Sequence, residues 1–342
     1  MSSDSRMRVA FALATVGLLS LSPHNALAWG STGHRIIGVL AIRDLPPSLP
    51  EFIRSDDVVW QVGELAREPD RSRGSGDPHD RDLDPGHFVD ASDDQKIPEG
   101  PSLGALPATR EEYDRALRAV NTDEYKAGYL PYSIIDGWQQ LVKDFAYWRV
   151  DAAGEKLAKT NDARAWYRRD RTLREALTIR DLGYWAHFVG DGTQPLHVSV
   201  HYDGWGNFPN PKGFTTAKGL HARFEGAFVR ANVSEADVQA AVRPYVAGSG
   251  PIQARVSTYL LATQAQVAPL YTLEKVHAFD ASDPKGKAFV VERLAASVDE
   301  LRDLIADAWT ASGDATVGHP AVAVKDVEAG KADPLDALKG LD

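Results

Sequence analysis

The chain has 342 residues, 43% of them hydrophobic and 25% charged, a composition that suits a large globular core and excludes collagen-like or wholly disordered chains. Formal net charge is −10, from 38 Lys and Arg against 48 Asp and Glu, which argues against nucleic-acid binding through a broad basic surface. Cysteine is absent, so disulfides, thiolate metal sites and cysteine nucleophiles are excluded, and any metal must be held by His, Asp, Glu or backbone atoms.

Residues 1–28 read as an export signal. Arg6 and Arg8 form a basic start, 9–21 is an apolar run too short to span a bilayer comfortably, and Ala26-Leu27-Ala28 is a small-x-small cleavage site. Cleavage after Ala28 leaves a chain that begins at Trp29, secreted or periplasmic, with no membrane anchor. Apolar spacing then predicts helices over 31–45 and 58–67, with Pro46-Pro47 stopping the first. Residues 68–86, rich in Asp, Arg, Gly and Pro, read as a loop before the short apolar island 87–90, and 91–108 reads as loop again. Helices follow over 111–120, 134–154 and 162–191. A Gly-, Pro- and aromatic-rich loop covers 202–219, and further helices are expected over 220–231, 235–247, 253–270 and 281–311. After Ser312 the periodicity fades, so 312–342 is expected as a weakly ordered tail. Strand signals are few, and one all-α domain over 29–311 is the simplest fold.

The chemistry concentrates at histidines beside carboxylates. His187 and Asp191 are spaced i, i+4, which places both on one helix face, and His221 and Glu225 repeat that spacing. Pro195 turns the chain between Asp191 and His197. His87 follows an Asp-rich stretch, and His34 lies five residues after the expected new N-terminus. A single histidine of this kind is most simply a surface or core residue. Two His-x-x-x-Asp/Glu pairs, a third histidine and an Asp-loop-His pair in one cysteine-free chain instead suit zinc bound through nitrogen and oxygen. His79, His201, His277 and His319 lack such company.

These motifs carry a resemblance. Trp29-Gly30 with Gly33-His34, then Leu65-Ala66-Arg67-Glu68-Pro69-Asp70, then His87-Phe88-Val89-Asp90 are the first three. His187-Phe188-Val189-Gly190-Asp191-Gly192-Thr193-Gln194-Pro195-Leu196-His197 and Leu220-His221 with Glu225 complete the set. In order and rough spacing over 29 to about 310, the chain resembles the secreted trinuclear-zinc nucleases of the S-one/P-one type. More distantly it is similar to bacterial zinc-dependent phospholipases C.

The resemblance implies a helical bundle of that type, acting as a monomer, with three zinc ions. Asp70, His87, His187 and Asp191 would hold the first, and His197, His221 and Glu225 the second. The third would take His34, Asp191 as a bridge, and the α-amine and carbonyl oxygen of Trp29, a five-membered chelate that only signal cleavage can create. Asp77, Asp80, Asp82 and Asp84 lie close enough to Asp70 to be alternatives to it.

Asp70 would orient a water or accept its proton, and Arg73 would clamp a phosphate, unless it is a solvated loop charge. Phe88 would stack on a base and Asp90 would accept from it, the alternative being that Phe88 packs in the core. The expected substrates are single-stranded DNA or RNA and 3′-nucleotides. Three features depart from the nuclease pattern: Glu225 where nucleases usually carry Asp, Gly219 where they carry Asn, and the aromatic loop 202–218. Glu225 and that loop favour the alternative of a phospholipid head group. A non-catalytic zinc-binding protein is the third reading.

Overall fold

The computed structural model describes residues 29–340. The expected signal segment 1–28 lies outside the described residues. The described residues are mostly helical, as expected of an all-α chain, and their only sheet is one two-stranded pair. None of the described helices is long and apolar enough to cross a membrane.

Helix α1 (Gly30–Arg43) buries Ile36, Ile37, Leu40 and Ala41 at helical spacing. Helix α2 (Asp56–Leu65) packs on it and starts at Ser55, whose side chain accepts from the Val58 amide. The next stretch differs from the expected loop. It winds into α3 (Glu68–Ser72), α4 (His79–Leu83) and a 3-10 turn, Asp84–His87. Pro69 falls in a first turn, where its missing N–H costs nothing. The Asp80 carboxylate collects the amides of Gly74 and Gly76, which closes the glycine-rich link onto α4.

Helix α5 (Arg110–Arg118) opens on a Thr109/Glu112 capping box, and Asp123 caps α6 (Glu124–Ala127). Helices α7 (Leu130–Leu157) and α8 (Asn161–Asp191) form the long antiparallel pair at the centre. Thr160 caps α8 by accepting from the Ala163 amide. Gly137 and Gly154 of α7 lie directly under the rings of Trp185 and Tyr167, where any side chain would collide. The two axes therefore approach closely, and the Trp185 indole reaches the Ile134 carbonyl at 3.0 Å.

The expected helix over 220–231 is present in three parts. These are α9 (Leu220–Ala222), a π-helical turn (Arg223–Phe228) and α10 (Val229–Asn232). Helix α11 (Glu235–Gln239) is much shorter than the 235–247 expected. Residues 241–250 run instead as an exposed extended strap. Asp299, Asp303 and Asp307, one turn apart, accept the strap amides of Arg243, Val246 and Gly248, and Pro244 cannot continue a helix. The helix expected over 253–270 divides into α12 (Ile252–Gln264) and α13 (Val267–Glu274), because Pro269 has no N–H for the Ala265 carbonyl.

Asp283 caps the last long helix, α14 (Pro284–Ser312), which packs on α1, α7 and α8. Beyond it the described residues, 313–340, are folded rather than a weakly ordered tail. Strands β1 (Thr316–Val317) and β2 (Val322–Ala323) pair antiparallel, followed by α15 (Val324–Glu328) and α16 (Leu335–Lys339). Val317, Val324 and Val327 form a small core with Ala146 and Val150 of α7, and the Tyr167 hydroxyl donates to Asp333 at 2.7 Å. These pieces are too short for a periodic signal, so their burial depends on the face α7 presents.

Candidate metal centre

Five parts of the fold meet at the C-terminal end of α8. Helix α1 brings His34, and the 68–87 segment brings Asp70 and His87. The end of α8 brings His187 and Asp191, and the 3-10 turn Pro195–His197 brings His197. The α9 segment and its π turn bring His221 and Glu225. The ligand atoms fall into three groups, each within 4.8 Å: His34, His187 and Asp191; Asp70, His87 and His187; and His197, His221 and Glu225.

Asp191 is central and fully buried. Its Oδ1 is 3.4 Å from His34 Nε2, while its Oδ2 is 3.1 Å from His87 Nδ1 and 3.4 Å from His187 Nε2. His187 Nε2 lies 3.0 Å from His87 Nδ1 and 3.8 Å from Asp70 Oδ1. In the third group, Glu225 Oε2 lies 2.8 Å from His221 Nε2 and 3.7 Å from His197 Nε2.

Neighbouring groups fix which atoms are free. A carbonyl can only accept, so His187 Nδ1 carries a proton toward Ala66 O at 2.9 Å and leaves Nε2 with its lone pair inward. His197 Nδ1 donates likewise to His87 O at 2.6 Å. Such outer contacts are what orient metal-binding imidazoles. Gln194 Nε2 donates to Glu225 Oε2 at 2.8 Å while its Oε1 accepts from the Leu196 amide at 2.7 Å. Asp203 Oδ1 accepts from the amides of Gly219 and His221, at 2.8 and 3.1 Å, and so starts α9 in place. Trp29 is buried at the head of α1, and its indole donates to Gly190 O at 2.9 Å, beside Asp191.

The donor set fits a cation. Both ring nitrogens of His34 and of His221, His197 Nε2, Asp70 Oδ1, Asp191 Oδ1 and Glu225 Oε1 are buried with no hydrogen-bond partner. That many orphaned donors and acceptors in one place would carry a heavy desolvation cost without a shared partner. Charge agrees. Burial lowers His34 and His87 well below the ordinary imidazole value, and His187 to about 3, so these rings present lone pairs. Burial raises Asp70, and it raises Asp191 strongly, with the Asp70 and Glu225 charges adding to the rise. A bound cation would oppose that rise and keep both ionised. Burial also pushes Glu225 upward, but His221 and His197 outweigh it and hold the carboxyl at about 2.

The remaining acids of the 68–87 stretch lie outside the three groups, and Asp82 is exposed. Asp80 holds glycine amides, Asp77 pairs with Arg81 and Asp84 pairs with Arg73, so Asp70 alone of the stretch joins a group. Arg73 Nη1 also lies 3.6 Å from Asp70 Oδ1. Arg73, Phe88, Asp90 and Tyr202 line a cavity of about 310 Å³ with the candidate ligands His87, His197 and His221. Phe88 is half-buried there rather than packed in the core. Burial alone raises Asp90 to about 7. His201 joins no group; its Nδ1 lies 2.9 Å from Trp205 O and its Nε2 3.2 Å from Asp93 Oδ1, which anchors the aromatic loop.

Sequence reasoning passed over Gln194, Tyr202 and Asp203 as site residues. Gln194 stands inside the His187–His197 motif, which was the available signal. Tyr202 and Asp203 belong to a loop whose path no periodicity reveals. No family model matches the chain, and no curated protein or solved structure matches it either.

Proposed function

We propose that this chain is a zinc-dependent phosphoesterase that cleaves phosphodiester bonds of single-stranded DNA and RNA and removes phosphate from 3′-nucleotides. The carrying observation is the set of orphaned buried nitrogens and oxygens, two of whose residues, His197 and His221, line a cavity that also holds an arginine, an aromatic ring and a carboxyl. Asp70, His87, His187 and Asp191 would hold one ion, and His197, His221 and Glu225 a second. His34 and Asp191, with the amine and carbonyl of Trp29, would hold a third. Zinc suits nitrogen and oxygen donors, and when bound it supplies hydroxide at neutral pH and neutralises phosphate charge.

The chain's own groups do the rest. Asp70 accepts a proton from the attacking water or orients it. Arg73 grips a phosphate oxygen, with Asp84 holding its Nε at 3.1 Å and fixing its direction. Phe88 offers a face for a base, with Tyr202 lining the same cavity. Asp90, near its midpoint at neutral pH, donates to the base when protonated and accepts when ionised. Gln194 keeps Glu225 in place.

The phospholipid reading draws support from Glu225 and from the exposed Tyr202 and Phe208 on the aromatic loop. An activity panel with zinc on single-stranded DNA, RNA, a 3′-mononucleotide and phosphatidylcholine separates the two. Nucleotide products support the proposal; diacylglycerol without nucleotide products overturns it. If metal removal unfolds the chain and no substrate turns over, the site is structural.

A further inference from the structure

A second cavity, of about 370 Å³, opens beyond Arg73 and shares only Arg73 and His87 with the first. Phe188 forms its inner end, with its ring 5.3 Å from that of His87 and 5.5 Å from that of His187. One turn earlier on α8, Tyr184 extends the aromatic wall at 5.7 Å from Phe188, and the Arg180 guanidinium lies 5.0 Å from the Tyr184 ring. Asp136 and Gln140 of α7 line the same cavity. Of the residues that line this cavity, the proposed function uses only Arg73, His87 and Asp84.

We propose that this cleft receives the nucleoside on the far side of the scissile phosphate, so that a dinucleotide or longer strand fills a site that a mononucleotide fills only in part. The inference rests on the phosphoesterase reading. A phosphate held at Arg73 lies where the two cavities meet. With one nucleoside beside Phe88, the strand has the second cavity as its continuation. Its volume falls in the range of small-ligand sites, and aromatic faces with a neighbouring guanidinium stack bases of any sequence.

Charge sharpens the choice. Arg73 is paired with Asp84 and Arg180 with Asp181, at 3.1 and 2.6 Å, and Asp136 adds a further carboxyl. Such a lining accepts hydrogen bonds from sugar hydroxyls and base amino groups and repels a phosphate. The cleft is therefore a place for one nucleoside and not for the next phosphate.

The test compares kcat/KM on adenylyl-3′,5′-adenosine and on 3′-AMP for the full chain, Tyr184→Ala and Gln140→Ala, with bound zinc measured in each. Calorimetric titration with an uncleaved dinucleoside methylphosphonate gives a readout free of turnover. Loss of one stacked base predicts about a tenfold fall for Tyr184→Ala on the dinucleotide, with a parallel weakening of methylphosphonate binding. The 3′-AMP rate should stay within about twofold and zinc content should be normal. Gln140→Ala, on α7, should show a smaller loss with the same substrate bias and stands in if the tyrosine variant does not fold. Equal losses on both substrates, or an unchanged dinucleotide rate, overturn the cleft while leaving the phosphoesterase reading intact. A wild-type chain that cleaves neither nucleotide overturns both.

Discussion

Asp151 offers a test of the α7–α8 packing that frames the site. It is fully buried on α7, and neither carboxylate oxygen has a hydrogen-bond partner. Burial, reinforced by Asp170 of α8, pushes its carboxyl up to about 8, against the pull of Arg174 and Arg171. In the unfolded chain the same group titrates near 3.8. Between those values the native state holds a proton that the unfolded state has released, so stability falls as pH rises.

The cost is absent below pH about 4, grows to about 8 and is constant above it. Four units at about 1.4 kcal/mol each give an upper bound of about 6 kcal/mol, which relaxation reduces to on the order of 2–4 kcal/mol. Asp151→Asn removes the titration and supplies an amide that can donate to Asp170. Melting temperatures of both proteins at pH 5 and pH 8 give the comparison. The metal site is common to both, so its own pH dependence cancels in the difference. The variant should gain several degrees at pH 8 relative to its difference at pH 5, at roughly 2 °C per kcal/mol for a chain of this size. The same difference at both pH values refutes the buried, protonated Asp151.

The metal centre gives four more tests. Asp191→Ala should lose two zinc ions and nearly all turnover; full zinc content in the purified variant removes the bridge. Gln194→Ala should keep the fold but weaken zinc about 10–100-fold in a chelator competition, and unaltered affinity means that Glu225 needs no support. A chain that retains one residue before Trp29 should lose a single zinc, and a normal metal count ends the N-terminal chelate. Asp90→Asn should flatten any change in base preference between pH 6 and 8, because the wild-type carboxyl titrates near 7. An identical pH profile in the variant contradicts the base contact.

Much of the candidate site was legible because its candidate ligands sit on strong local signals. The i, i+4 pairs at 187/191 and 221/225 are helix geometry written into the sequence, and Pro195 announced the turn that aims His197. The long helices were legible through periodicity, and caps such as Thr160 and Asp283 fixed where two of them begin. What was not legible depends on contacts across the chain. Residues 235–247 have helical periodicity, yet the α14 carboxylates take the strap amides that a helix would have used internally. The turns within 68–87 hang on Asp80 gathering two glycine amides. The folded segment after Ser312 exists because α7 offers Ala146 and Val150 to three valines. Tyr202 enters the cavity by a loop path that His201 and Asp203 tie down from either side.

The π turn at Arg223–Phe228 makes the count of residues, and not only their identity, a coordinate of the metal site. A π turn carries one residue more than the α-helix around it and relaxes when that residue is lost. A deletion between His221 and Glu225 would let the segment rewind as α-helix with the two side chains three positions apart instead of four, which turns Glu225 relative to His221. Both candidate ligand side chains would survive, facing different neighbours, and Gln194 would lose its bond to Glu225. Substitution scans hold chain length constant and would miss this dependence, whereas one-residue deletions between His221 and Glu225 would expose it as a loss of zinc.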